Sequence, residues 1–146
     1  MDFTARASLH CPPERVFEEV ADLSGYPEWL GMVQQAEPAP PHPDDAGPAW
    51  AVELGARLGP ITPTKRVRMV RTEWTAPAHA RFERAEHDGR EHNPWVLAAD
   101  VEPDGQGSRL TMHLHYGGGF NLPFVEQLLK EEVARAGERL EARLQA

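Results

Sequence analysis

The chain opens on an alternation: Phe3, Ala5, Ala7 and Leu9 stand against Thr4, Arg6 and Ser8. A period of two predicts a half-buried strand. Pro12 and Pro13 suit a helix entrance, where missing N–H groups cost little. Val16, Phe17, Val20 and Leu23 then recur at helical spacing, with Glu14, Glu18 and Glu19 on other faces. Ser24-Gly25 and Pro27 are expected to stop that helix, because Gly accepts a left-handed cap and Pro disfavours helix in the residue before it. From Pro38 to Pro48 the chain reads PAPPHPDDAGP, with five prolines and no large apolar residue. That composition predicts a surface loop rather than a strand interior or a helix.

The middle of the chain reads as a meander of strands. AWAVELGARLG places Trp50, Val52, Leu54, Ala56 and Leu58 on one face, and GPITP follows as a turn. TKRVRMVRTEW is a long strand with Val67 and Met69 on one side. ARFERAEH and WVLAADVE flank the turn signal Asp88-Gly89, and EPDGQGS leads into RLTMHLHYG, where Leu110, Met112, Leu114 and Tyr116 align. After a glycine corner, Asn121 suits a cap and Pro123 a first turn. Phe124, Val125, Leu128, Leu129, Val133, Ala136, Leu140 and Leu144 then hold one stripe. Such a helix is roughly 35 Å long at 1.5 Å per residue, too long to bury its stripe on the short first helix, so it must lie across the sheet. Glu126–Lys130 and Glu131–Arg135 are spaced as i,i+4 pairs on its wet side.

Strands in one run followed by a helix imply an α+β layer arrangement with a mostly antiparallel, curling sheet of about six or seven strands. The 146 residues are read as one domain, 1–146. The single cysteine, Cys11, excludes an intrachain disulfide and is read as a packing residue; a cytoplasmic location is the default expectation. No apolar run approaches the roughly 20 residues of a membrane span. A formal charge of −8 argues against nucleic-acid binding. Against that balance, Arg57, Lys65, Arg66, Arg68, Arg71, Arg81 and Arg84 cluster with only Glu73 and Glu83 between them. The cluster is either a solvated sheet face or a basic rim for an acidic head group.

PPERVFEEVADLSGYPEWLGMV, residues 12–33, resembles the opening of the polyketide cyclase/dehydrase and lipid-transport proteins, the START-like (SRPBCC) group related to the Bet v-type allergens. The resemblance rests on Pro13, Val16-Phe17, Asp22, Tyr26-Pro27 and Trp29. RVRMVRTEWTAPAHARFER is similar to the CoxG-like branch. The resemblance implies a helix-grip fold, in which a curved antiparallel sheet wraps a long C-terminal helix and two short helices follow strand 1. It also implies a binding scaffold used by carriers, cyclases and quinone chaperones alike.

Three readings of function follow. The first is a small hydrophobic ligand (lipid, quinone or polyketide-like) held between sheet and terminal helix. Trp29, Trp50, Met69, Phe82, Trp95, Met112, Phe124 and Leu128 would line the space, with Arg71 and Tyr116 as polar anchors. Trp29 either plugs the short helix onto the sheet or meets a ligand at the cavity mouth. The second is a cyclase, aromatase or dehydratase, which needs an acid or base inside the pocket; Glu73, Arg71, Asp100 and Tyr116 are the candidates, Glu73 and Arg71 sharing a strand face with Met69. The third is a protein-partner module with a filled core. No cofactor or metal is expected: His113 and His115 share a face, but parity turns it outward, and His87 and His92 read as exposed loop residues. The chain is expected to be a monomer or homodimer.

Overall fold

The computed structural model describes residues 2–55, 60, 64–117 and 123–145, with side chains of the last segment from 131 onward. In chain order they form β1 (Asp2–Leu9), α1 (Pro13–Val20), a 3-10 helix (Leu23–Glu28), β2 (Val33–Pro38), β3 (Ala49–Gly55), β4 (Thr64–Thr75), β5 (His79–Arg84), β6 (Trp95–Asp104), β7 (Gly107–Tyr116) and α2 (Pro123–Gln145). Every neighbouring strand pair is antiparallel, in the order β1-β7-β6-β5-β4-β3-β2. Strands β2 to β7 are a meander, and β1 closes onto β7 at one edge. The chain therefore crosses from one sheet edge to the other through α1 and the 3-10 helix. This is the helix-grip fold: a curved seven-stranded sheet gripping a long terminal helix.

Strand β2 left no alternation in the sequence, because it pairs on one side only and buries little beyond Val33. An edge position also tolerates Pro38. The first helix ends earlier than its breaker residues suggest. It stops at Val20, and Gly25, Tyr26 and Pro27 lie inside the 3-10 helix rather than at a boundary. Asp22 starts this second helix by accepting the Ser24 N–H at 2.9 Å. The Tyr26 hydroxyl donates to the Val20 carbonyl oxygen at 2.7 Å and ties the two helices together. Proline is accommodated because a 3-10 turn this short makes few internal bonds.

The concave side of the sheet is divided in two. Under α1 and the 3-10 helix it is packed solid: Tyr26 lies 4.5 Å from Trp29 and 6.3 Å from Phe82, and Trp50 lies 5.6 Å from Phe82, ring centre to ring centre. Such tilted and edge-on pairs add about 0.5–1.5 kcal/mol each beyond the area they bury. Toward the β1 edge the sheet faces α2, and small residues meet. A Cβ added to Gly137 would stand 3.4 Å from that of Ala7.

Candidate ligand-binding site

Strand register sets the floor of the space between sheet and α2. Phe3, Leu114 and Leu97 form one cross-strand row, Ala5 and Met112 a second, and Ala7 and Leu110 a third. Because side chains alternate along a strand, all of these point to the concave face. The roof is the α2 segment carrying Val133, Ala134, Ala136, Gly137 and Leu140, and Trp29, Leu30 and Met32 close one end. Together they enclose a cavity of about 310 Å³. The space exists because Ala5 and Ala7 face Ala134, Ala136 and Gly137: where both layers are small, helix and sheet backbones cannot close the gap completely.

The wall is apolar. Arg6, an outward residue of β1, is the one charged residue among the described wall residues. Among them there is no carboxylate, imidazole, hydroxyl or thiol. Trp29 is 2% exposed, and its indole N–H has no hydrogen-bond partner. It is therefore both a plug, packed on Tyr26, and part of the cavity wall.

The other residues expected at the site are placed as follows. Met112 lies on the floor. Trp50, Met69 and Phe82 are buried core residues outside the cavity wall, Trp50 donating its indole N–H to the Ser24 hydroxyl at 3.0 Å. Trp95 and Tyr116 stack 4.9 Å apart, and Tyr116 stacks in turn on Phe3 at 6.1 Å, so they stand behind one wall residue rather than at the surface of the cavity. Phe124 and Leu128 lie outside the described side chains, as do Ala56, Arg57, Leu58 and Asn121 and the Glu126–Lys130 pair.

Arg71 points inward but to a different place. Its guanidinium donates to the Ala21 carbonyl oxygen at 2.9 Å and sits 5.5 Å over the Trp74 ring, in an open groove beside α1. Burial pulls its pKa down, opposed by the charge of Asp22. Glu73 does not share this face. A bulge between Arg71 and Glu73 inserts one residue, so Arg71 pairs with Phe82 but Glu73 pairs with Arg81. The extra residue turns Glu73 to the convex side, where it lies 3.4 Å from Arg81 and 3.5 Å from His79. Asp100 is also convex, accepting from His79 at 2.7 Å. The enzyme candidates Glu73 and Asp100 are therefore separated from the cavity by the sheet itself.

His113 and His115 are exposed, as strand parity requires, beside Asp100 at 3.8 Å and Asp2 at 2.8 Å. The basic cluster is largely neutralised: Arg66, Arg68, Arg81 and Arg84 each stand within 4 Å of a carboxylate. Arg66 and Arg81 are solvent-exposed in their pairs, whereas Arg68 and Arg84 are largely buried in theirs. On α2, the Arg135 partner is Glu132 at 3.7 Å, one residue from the spacing expected.

The wall residues missed from sequence include Phe3, aliphatic residues such as Leu97, Leu110 and Leu114, and the small ones. The signal of the small ones was present: Ala5 and Ala7 on the inner parity of β1, and the Ala134-Arg135-Ala136-Gly137 run in α2. Small residues on two facing elements mark room, whereas large aromatic residues mark places already filled.

Comparison with solved structures recovers the same fold. A Thermus thermophilus protein is 22% identical with a TM-score of 0.76, covering 99% of this chain and 97% of that one. A START superfamily protein from Mycobacterium smegmatis is 14% identical at TM-score 0.70, with 99% and 97% covered. A Deinococcus radiodurans protein is 13% identical at TM-score 0.68, with 97% and 98% covered. No curated protein matches the sequence. No described helix is long and apolar enough to cross a membrane. The sequence itself matches one family over residues 1–145. With its seven-stranded grip around α2 and the apolar space beneath it, the chain belongs to the family of polyketide cyclase / dehydrase and lipid transport proteins.

Proposed function

We propose that this protein binds a small hydrophobic molecule in the cavity between the β1–β7–β6 floor and α2, and that it carries or sequesters that molecule rather than transforming it. The observation that supports this most is the wall: about 310 Å³ of space lined by aliphatic, aromatic and small residues. Ligand sites of roughly 300–1,000 Å³ with few polar groups are the usual form of such pockets. The volume is far above that of a single water, so a filled-core partner module is the poorer reading. A cyclase or dehydratase needs an acid or base within hydrogen-bond reach of its substrate, and Glu73 and Asp100 face the other side of the sheet. The unpartnered Trp29 N–H favours a ligand that carries one acceptor oxygen on an otherwise apolar body. A monomer or homodimer at work in the cytoplasm is part of the same reading.

The test is titration of the full chain with the neutral dye N-phenyl-1-naphthylamine, with Ala136→Phe as the blocked variant. Saturable one-site fluorescence enhancement, weakened at least tenfold in the folded variant, is the expected result. Enhancement that is absent from the wild type, or equal in both proteins, overturns the proposal.

A further inference from the structure

Two histidines 45 residues apart in the chain, His42 of the proline-rich loop and His87 after β5, lie ring on ring, 3.6 Å between centres and 7° between planes. A ring nitrogen from each and a carboxylate oxygen of Asp44 all lie within 4.8 Å of one another. We propose that His42, Asp44 and His87 form a binding site for one divalent first-row transition-metal ion, of the zinc, nickel or copper class, which pins the 39–48 loop to the segment following β5.

The hydrogen bonds around the cluster favour this assignment. His87 Nε2 faces Asp45 Oδ1 at 3.0 Å, so the proton belongs on Nε2 and the lone pair on Nδ1. The Asp44 backbone N–H donates to His42 Nδ1 at 3.1 Å, which puts the lone pair on that nitrogen but engages it, so this bond must give way before His42 Nδ1 ligates; Asp44 Oδ2 stands 3.8 Å away. Both imidazoles therefore carry their lone pair on Nδ1. Asp45 is itself held: its two oxygens accept from the Arg68 guanidinium at 2.9 and 2.7 Å, and one also accepts the His42 backbone N–H at 2.9 Å. A carboxylate that fixes the tautomer of a ligating histidine is the usual outer support of a metal site.

The donor set selects the ion. Two imidazoles and one carboxylate suit zinc, nickel, copper and iron better than magnesium or calcium, which take oxygen ligands. Ligand atoms bound at about 2.0–2.1 Å stand roughly 3–4 Å apart, so the present spread of up to 4.8 Å needs about 1–2 Å of closure at most. Parallel rings aim their lone pairs side by side. One ring must therefore rotate about its Cβ–Cγ bond, and the Asp44 side chain, 82% exposed, is free to swing inward.

The test uses untagged, chelator-stripped full chain titrated with zinc and with nickel chloride by calorimetry, with the thermal midpoint measured in parallel. One equivalent bound in the micromolar range, a raised midpoint, and at least tenfold weaker binding in His42→Ala and in His87→Ala are expected. Asp44→Asn, at an exposed position where folding is not at stake, is expected to weaken binding at least threefold, while His113→Ala on the convex face leaves it unchanged. Wild-type binding weaker than millimolar for both metals, or binding indifferent to His42→Ala and His87→Ala, overturns the assignment.

Discussion

Arg68 grips Asp45 with both terminal guanidinium nitrogens, at 2.9 and 2.7 Å, and so fastens the proline-rich loop to the outside of β4. The same guanidinium donates to the Pro40 carbonyl oxygen at 2.9 Å and the Ala85 carbonyl oxygen at 3.1 Å. One side chain thereby holds two loops. Asp45→Ala is expected to cost about 2–3 kcal/mol in chemical denaturation, since it leaves a mostly buried guanidinium with unmet donors.

This pair also sets a pH dependence. The Arg68 hydrogen bond, aided by His87 and the His42 backbone N–H against the opposing cost of burial, holds the Asp45 carboxyl well below the usual carboxylate range. A carboxylate lowered in the folded state contributes stability that is fully present above its unfolded value of about 3.9 and is lost as pH falls toward the folded value. Denaturation midpoints measured with chelator present are expected to fall on going from pH 5 to pH 2.5. The decline should be shallower in Asp45→Asn; equal slopes would refute the assignment.

Tyr26 couples the two short helices through one bond to the Val20 carbonyl oxygen, and burial pushes its hydroxyl pKa far upward, with Asp22 and Glu19 adding to the effect. It is therefore a neutral donor throughout the working pH range. Tyr26→Phe is expected to lower stability by about 1–2 kcal/mol, the cost of one buried acceptor left unmet, without opening the cavity. An unchanged unfolding free energy would show that the carbonyl finds another donor.

Gly137 lies in the middle of α2, where glycine weakens a helix by roughly 0.5–1 kcal/mol relative to alanine. Its added Cβ would make ordinary contact with Ala7 at 3.4 Å. Gly137→Ala should thus raise stability by about 0.5 kcal/mol. Gly137→Leu, which must displace α2 from β1, should lower it by about 1–3 kcal/mol. The two thermal midpoints, moving in opposite directions, check the close approach.

Glu73→Gln removes a carboxylate that is half exposed on the convex face. The expected change in stability is below about 1 kcal/mol, and dye binding in the cavity should match wild type. A loss of binding on this substitution would return Glu73 to the pocket.

Most of the fold was legible because it is written in local periods. Alternation in FTARASL and RLTMHLHYG marks β1 and β7, and it places Met112 inside and His113 and His115 outside. The stripe through Val133, Ala136, Leu140 and Leu144 marked α2 and its length. Strand β2 was invisible because an edge strand with both faces near solvent carries no alternation to read. Glu73 was misplaced because one inserted residue at a bulge reverses every parity beyond it, and nothing local announces the insertion.

The site itself was harder. Large aromatic residues such as Trp50 and Phe82 identify the core, yet they fill space, and the void lies where Ala5 and Ala7 face Ala136 and Gly137. A void is the difference between two layers contributed by opposite ends of the chain. In the same way, His42 and His87 are unremarkable loop residues until the meander and the Arg68–Asp45 clamp set their rings together. Periodicity in the sequence was enough for most of the elements and the faces they bury, and the motif of residues 12–33 for the resemblance to a family. Only the folded chain decided which face a bulged residue takes, where the core is left unfilled and which distant side chains meet, because each depends on register and volume between segments that are not neighbours in sequence.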